Sequence, residues 1–513
     1  MISKKKVLLV GIYDKNTITL APQMLKTYAE QFPISQKFDI QTLDLSIFSQ
    51  ESKEHIDRIK SKNPDIVGFS TYIWSMPSIK KILPNLQTKI VLGGPQCTGV
   101  EEELMNEFPN INYVVSGEGI VTFKELLEVF AKEKNITDVR GVSGKNFKNP
   151  SREIIKNLDS IPSPYERIFS ENKGLEWIAY ETSKGCPFGC KYCTWGFSKE
   201  MRYYSLQRVI KDLDTILNEK SIKKIYLCDS SILYDKERAK KILGFIRDKN
   251  PEVSVRYEFD AVHLDDELIS YLVSLKNNEF NFGLQSTNPS ALKTMGRRFN
   301  KKKFEQNYHK LISNSQNSKI TIDLIYGLPG DNYRGYANSL DYVLTFKEVN
   351  WILTNPLIIL PGSDFYKERE KYGIVLRDKE SYIVSENDTF SKEDMARARK
   401  LSYLVSTIYL NKDLRLALQE FSELKNINAT KMILDFFENI PFEIVPNEEY
   451  PFMIPSNAID FKKRNQSIAQ TIGLFPEIVN AFDKYSENRF PNLIKNYSGN
   501  YSERYYQFKE FLK

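Results

Sequence analysis

The sequence predicts an α/β protein in three parts: a doubly wound parallel sheet, a (β/α)6 partial barrel and a mainly helical C-terminal domain. Three observations carry that prediction. Short apolar runs alternate with helically spaced stretches in two successive series. Prolines break the chain between the series. After about residue 379 helical spacing takes over.

The first part covers residues 1–149. Lys6-Val-Leu-Leu-Val-Gly-Ile is a strand-like run ending in turn chemistry, Met24 to Glu30 has helical spacing, and Phe38 to Leu45 alternates in part. His55 to Ile59 begins another helical face. Asp65-Ile-Val-Gly-Phe-Ser, Lys89-Ile-Val-Leu-Gly-Gly and Tyr113-Val-Val-Ser-Gly-Glu-Gly add three strands, each followed by a helix-like stretch. Ligands of such sheets sit at the carboxyl ends of the strands, where the glycines cluster. Residues 150–174 form a linker, with Pro150 and Ile161-Pro-Ser-Pro-Tyr165 blocking regular structure.

The second part, residues 175–378, predicts strands at Trp177–Thr182, Lys224–Cys228, Ser254–Asp260, Phe280–Leu284, Ile320–Ile325 and Trp351–Leu360. Helical patterns separate them. The third part, residues 379–513, has helical spacing at Met395 to Val405 and crowds Tyr501, Tyr505, Tyr506 and Phe508 near its end.

At 513 residues the chain is too long for one core. Lys plus Arg number 72 against 66 Asp plus Glu, and the net +6 is too mild to imply a nucleic-acid partner. Lys4–Lys6 and Lys301–Lys303 read as solvated surface. The apolar run after Met1 is too short for a signal segment, and no stretch approaches about 18 uninterrupted apolar residues. The expectation is a cytoplasmic protein with no membrane partner. Its five cysteines, Cys97, Cys186, Cys190, Cys193 and Cys228, are odd in number with three bunched. In a reducing compartment that pattern points to metal or catalysis.

The bunched cysteines lie in Lys184-Gly-Cys186-Pro-Phe-Gly-Cys190-Lys-Tyr-Cys193-Thr-Trp195-Gly196. The short spacings let one loop wrap three thiolates around a single inorganic centre, with Gly185 and Gly189 relaxing the backbone. A cubane cluster normally takes four thiolates, so three leave one iron open for chemistry. Structural zinc would want a fourth ligand, and no other His or Cys lies within about 30 residues. Cys97 and Cys228 read as packing cysteines, Cys228 at the end of a strand near the cluster.

This stretch resembles the radical S-adenosylmethionine signature, Cys-x3-Cys-x2-Cys, and follows the first barrel strand as it does in that superfamily. The resemblance implies a [4Fe–4S] cluster on Cys186, Cys190 and Cys193, its open iron chelated by the amino and carboxylate groups of S-adenosylmethionine. Electron transfer would then cleave the sulfonium to methionine and a 5′-deoxyadenosyl radical. Tyr192 would pack near the adenine. Asp229 or Ser230, where the common Gly-Gly-Glu form is absent, would meet the methionine amino group. Phe282-Gly-Leu-Gln285-Ser286-Thr-Asn288 followed by Arg297 resembles a recurrent fourth-strand pattern that faces the nucleoside. Arg297 reads as a bidentate partner for a carboxylate or as a helix-surface residue. Asp323-Leu-Ile-Tyr-Gly327-Leu-Pro-Gly330 would bring backbone to the adenine, and Leu360-Pro-Gly362-Ser363 repeats the pattern. Glu258 points into the barrel or into packing.

The N-terminal pieces Ser70-Thr71-Tyr72 with Trp74, Gly93-Gly94-Pro95-Gln96 and Gly117-Glu118-Gly119 are similar to the Rossmann-like cobalamin-binding domain of this enzyme class. Glycines let backbone approach a large flat ligand, and hydroxyls can bond its amides. The loop Asp14 to Thr19 lacks the cobalt-ligating His of many corrinoid domains. The lower face of the cobalt would be covered near Tyr72 and Trp74 or left to water.

The chain most resembles a cobalamin-dependent radical branch that ends in a C-terminal domain of unassigned role. The resemblance implies methyl transfer to an unactivated carbon of a small-molecule or peptide substrate, through the radical and methylcobalamin. It also implies an external one-electron reductant of flavodoxin or ferredoxin type. Rearrangement, oxidative cyclisation or ring contraction with the same cofactors is the alternative, and a non-enzymatic corrinoid or redox sensor a weaker one. A methylthiotransferase would need three further upstream cysteines, and only Cys97 is there.

Overall fold

A computed structural model describes residues 4–438, apart from residues 14–15, 48, 50–51, 196–197, 251, 316 and parts of 410–425. The aromatic-rich stretch at Tyr501–Phe508 and the rest of the C-terminal domain past residue 438 lie outside the described residues.

Two parallel sheets organise the chain. The first holds β1 (Lys5–Tyr13), β2 (Phe38–Ser46), β3 (Ile66–Ser70), β4 (Lys89–Gly93), β5 (Ile111–Val115), β6 (Val142–Gly144) and β7 (Phe147–Lys148) in the order 2-1-3-4-5-6-7. Residues 7–12 of β1 are buried on both faces, as a central parallel strand requires. Helices Leu20–Ala29 and Gly119–Phe130 cover one face, and Ser52–Ser61 and Met76–Ile82 the other. The winding reverses between β1 and β3, so the ends of these strands, at Tyr13 and Ser70, flank the crevice where doubly wound sheets bind ligands. The antiparallel hairpin β6–β7 was not foreseen, because strands of three and two residues are too short to show alternation.

The second sheet holds β8 (Trp177–Tyr180), β11 (Lys224–Leu227), β12 (Ser254–Phe259), β13 (Asn277–Gln285), β14 (Lys319–Tyr326) and β15 (Trp351–Pro356). All pair in parallel, and spatial order follows chain order. A two-residue hairpin, β9 (Ser183–Lys184) and β10 (Arg202–Tyr203), frames the cysteine loop. Each barrel strand divides its faces. On β12, Val255, Tyr257 and Phe259 are buried among outer aromatics, with Tyr257 5.8 Å from Phe280 and Phe259 5.2 Å from Phe282. Arg256 and Glu258 take the opposite, inward face. The last predicted strand is shorter than expected: it ends at Pro356, beyond which the chain leaves β14 after a last Leu357 N–H to Tyr326 O bond of 2.8 Å.

The helix Lys392–Tyr409 packs on β15, and Ala429–Glu438 packs against it. Among the described residues no helix is long and apolar enough to cross a membrane.

The turn after β1 is tied down tightly. A Cβ at Gly11 would lie 2.2 Å from Thr19 Oγ1, so only glycine fits beneath it. The Thr19 N–H donates to Asp44 Oδ1 at 2.7 Å. Burial pushes the Asp44 carboxyl up to about 6, against the pull of the Thr19 bonds and Arg58. Its folded value exceeds the unfolded value of 3.8, so its contribution to stability is full below that pH and is lost as pH rises through 6. Urea midpoints measured across this range should therefore fall more steeply with rising pH for the native protein than for Asp44→Asn. Parallel slopes would show that Asp44 titrates normally.

Candidate functional site

The cysteine loop leaves the barrel at β9 and returns at β10. The Cys186 N–H donates to Ser198 O at 3.1 Å, the Cys193 N–H to Cys190 O at 3.0 Å, and the Trp195 N–H to Cys193 Sγ at 3.3 Å. Gly185 has φ +99°, and a Cβ there would lie 2.3 Å from Glu200 O, so the turn requires glycine. The far side of the barrel clamps the loop. The Lys191 N–H donates to Met295 O at 3.1 Å, and its carbonyl accepts from the Phe365 N–H at 2.9 Å. Its Nζ reaches Glu368 at 3.0 Å and Tyr372 at 2.8 Å. None of the three is in a disulfide; Cys186 and Cys190 are half-buried and Cys193 is exposed. Burial raises the Cys190 thiol, and the Arg297 guanidinium opposes that.

Among the described residues no three His, Cys, Asp or Glu side chains close around a single metal ion. The donor set on this loop, three thiols with Cys97 buried and Cys228 half-buried elsewhere, suits a cluster with one iron left for another ligand.

The neighbouring motif residues fall into two groups. Asp229 and Ser230 brace the loop. The buried Asp229 carboxylate accepts from the Thr182 N–H at 3.2 Å, the Thr182 hydroxyl at 3.0 Å and the Ser183 hydroxyl, while Ser230 donates to Gly185 O at 2.7 Å. Ser286 likewise bonds Asp331 at 3.2 Å. Others line open space. Arg297 follows a turn whose Gly296 lies against Gly189 O, and with Asp260 and Gly283 it lines a small cleft. Its guanidinium lies 3.5 Å from Asp260 and beside Tyr192, so it faces the cleft and not bulk water. Gln285 ends β13 at φ +69°, an uncommon conformation for a side-chain-bearing residue, where the register with β14 shifts. Gly327 has φ +83°, and a Cβ there would meet Met395 Sδ at 2.6 Å, so the C-terminal helix presses on this turn. Glu258 and Asp323 both face the barrel interior, where Asn281 Nδ2 donates to each.

The N-terminal loops meet this opening. Thr71 is fully buried and its N–H donates to Gly93 O at 2.7 Å. Gly94 has φ +129°, and a Cβ there would lie 2.4 Å from Thr71 O, so the position requires glycine; Gln96 is buried beside it. Pro95 is half-buried between them. Tyr72 stacks on Trp74 with rings 4.5 Å apart, and Tyr13 joins Trp74 at 5.3 Å and Trp177 of β8 at 5.7 Å. Burial, then Glu181, push the Tyr72 hydroxyl up to about 12, with Lys184 and Cys228 also close. On the other side, a Cβ at Gly99 would lie 3.3 Å from the Gly362 nitrogen past β15, so the two glycine turns pack closely. The N-terminal domain therefore touches both edges of the open barrel. Gly117, at φ +81°, and Gly119 flank Glu118; a Cβ at Gly117 would enter open space. The Glu118 carboxylate is engaged by Arg202, at 2.5 and 3.1 Å, and by the Ile155 N–H at 2.9 Å.

Sequence reasoning missed Arg202, Tyr13, Trp177 and Lys191. Arg202 and Trp177 flank the cysteine loop and the first barrel strand, but nothing in their spacing marks a contact between domains.

Residues 180–343 match a family described as the radical SAM superfamily, and residues 17–127 match one described as the B12 binding domain. An uncharacterized methyltransferase of Pyrococcus horikoshii, PH0819, is 31% identical over 47% of this chain and 55% of its own. The cobalamin-dependent radical SAM methyltransferase TokK of Streptomyces tokunonensis is 24% identical over 74% of this chain and 59% of its own. The chain thus spans little more than half the length of these curated relatives. The solved structure of OxsB, a cobalamin-dependent S-adenosylmethionine radical enzyme with aqua-cobalamin and S-adenosylmethionine bound, superposes with a TM-score of 0.65. It is 14% identical and covers 94% of this chain and 84% of its own, a likeness of fold.

The Glu118–Arg202 pair joins the two domains with only 5% of the Arg202 side chain exposed. Removing one partner strands a buried charge, so Glu118→Gln should cost roughly 3 kcal/mol in chemical denaturation. A loss below about 1 kcal/mol would mean the pair behaves as a surface bridge.

Proposed function

We propose that this radical SAM protein with its B12-binding domain is a methyltransferase that uses its [4Fe–4S] cluster, S-adenosylmethionine and cobalamin to methylate an unactivated carbon. Once bound, those groups supply a 5′-deoxyadenosyl radical and a transferable methyl. The relatives named as methyltransferases support the reading. The observation that carries it is positional: the N-terminal strand-end loops close the same opening that the cysteine loop faces.

In this reading Cys186, Cys190 and Cys193 hold the cluster, while Asp229, Ser230 and Lys191 fix the shape of their loop. Arg297 offers its guanidinium to a carboxylate in the cleft beside Tyr192. Gln285, Ser286 and Gly327 border the nucleoside side. Ser70, Thr71, Tyr72, Trp74, Gly93, Gly94, Pro95, Gln96, Gly117 and Gly119 would hold the corrinoid, and Glu118 would keep that cradle against the barrel. What the protein contributes is placement and exclusion of water. An external one-electron donor starts the cycle.

The test is anaerobic turnover of protein reconstituted with iron, sulfide and hydroxocobalamin, following 5′-deoxyadenosine and S-adenosylhomocysteine together. Both products with retained corrinoid are expected, and Cys190→Ala should bring 5′-deoxyadenosine to background while keeping the corrinoid spectrum. Sustained 5′-deoxyadenosine with no S-adenosylhomocysteine would replace methyl transfer by cyclisation or ring contraction. Loss of corrinoid under every condition would remove the N-terminal half of the reading.

A further inference from the structure

Inside the barrel, three neighbouring strands carry a polar cluster with more acceptors than donors. Glu258 on β12 is the register partner of Asn281 on β13, and Asp323 lies on β14 beside them. The Asn281 amide nitrogen donates to both carboxylates, at 3.0 Å to Asp323 Oδ2, which fixes the orientation of its amide. Glu258 Oε1 also accepts from the Tyr226 hydroxyl at 3.2 Å and from Arg256 at 3.1 Å. Asp323 has no such company. Its Oδ1 is buried without a partner, and so is Asn281 Oδ1, on a residue only 4% exposed. On β15, Asn355 adds another buried carbonyl oxygen in the same condition.

Charge points the same way. Two carboxylates share one guanidinium, Arg256, since the next cation, Lys224, is paired with Glu279. Burial and the charge of Glu258 both raise the Asp323 carboxyl. A neutral hydroxyl placed here would satisfy an acceptor and leave the like charges uncompensated. An apolar chain would strand every acceptor. A cationic donor answers both deficits. The cluster meets solvent at its edge, where the side chains of Glu258 and Arg256 keep 23% and 35% exposure.

We propose that the acceptor substrate carries a protonated amine, which docks on Asp323 Oδ1 and Asn281 Oδ1 with Glu258 as second counter-charge. This rests on the methyltransferase reading for what becomes of the substrate, and on the lumen alone for the amine. The ammonium would sit at the middle to carboxyl half of these strands and hold a nearby carbon toward the mouth, where the cysteine loop and the N-terminal loops converge.

The test uses the full-length, cobalamin-loaded protein without S-adenosylmethionine. It is titrated at constant ionic strength with n-butylammonium chloride and, separately, with n-butanol, and binding is read by saturation-transfer NMR. Saturable binding of butylammonium but not butanol is expected, weakened roughly tenfold or more in Asp323→Asn, the scale of losing a hydrogen bond to a charged group. Glu258→Gln should weaken it less, and it serves if the first variant does not fold. Equal binding of the two probes, or no binding of butylammonium to the native protein, overturns the proposal. Displacement of butylammonium by S-adenosylmethionine also overturns it, because the carboxylates would then hold that cofactor's own amine. Formation of S-adenosylhomocysteine reports separately on the methyltransferase reading, so either can fail alone.

Discussion

A six-stranded barrel whose edge strands do not pair must be closed by something else. Here β8 and β15 are the two ends of the sheet, and the inward face between them is polar. The N-terminal domain supplies the missing wall, through Tyr13 and Trp74 against Trp177 on one edge and Gly99 against Gly362 on the other. The Glu118–Arg202 pair holds the two bodies together. Because doubly wound sheets bind ligands at their carboxyl ends, the loops that close the barrel are also the loops built to carry a ligand. Closure and cofactor delivery are therefore a single geometric requirement.

The two faces of the barrel sheet do different work. Outward, Tyr257, Phe259, Phe280 and Phe282 interlock with one another and with Phe304 of the helix Lys301–Asn314 in tilted and edge-on contacts that stiffen the scaffold. Inward, Tyr226, Arg256, Glu258, Asn281 and Asp323 form a network with acceptors to spare. Such networks persist only where the surrounding packing is rigid enough to impose them. The apolar face thus stabilises what the polar face leaves unsatisfied.

Much of the fold was legible because period-two and period-3.6 patterns are local. The runs at Lys6, Asp65 and Lys89 and the six barrel strands all appear as strands within a few residues of where alternation placed them. The cysteine spacing was legible for the same reason, since one loop contains all three thiols. What could not be read was contact at long range. Nothing near Asp229 reveals that its carboxylate is spent on Thr182 and Ser183, and nothing near Glu118 announces Arg202. The ambiguity over Arg297 was of this kind too: only the Gly296 turn lying against Gly189 decides that it faces a cleft. Glu258 resolves likewise, because strand register and not sequence sets which face looks inward.

The grip of distant residues on Lys191 has a consequence for how the protein is made. Its carbonyl is held by Phe365 and its ammonium by Glu368 and Tyr372, residues the ribosome adds long after the cysteines have emerged. Until that later segment is synthesised and docked, the three thiols share a loop but not a shape. The shape of the cysteine loop is thereby coupled to completion of the barrel, and a truncated chain lacking that segment would be released with its cysteines exposed to oxidation.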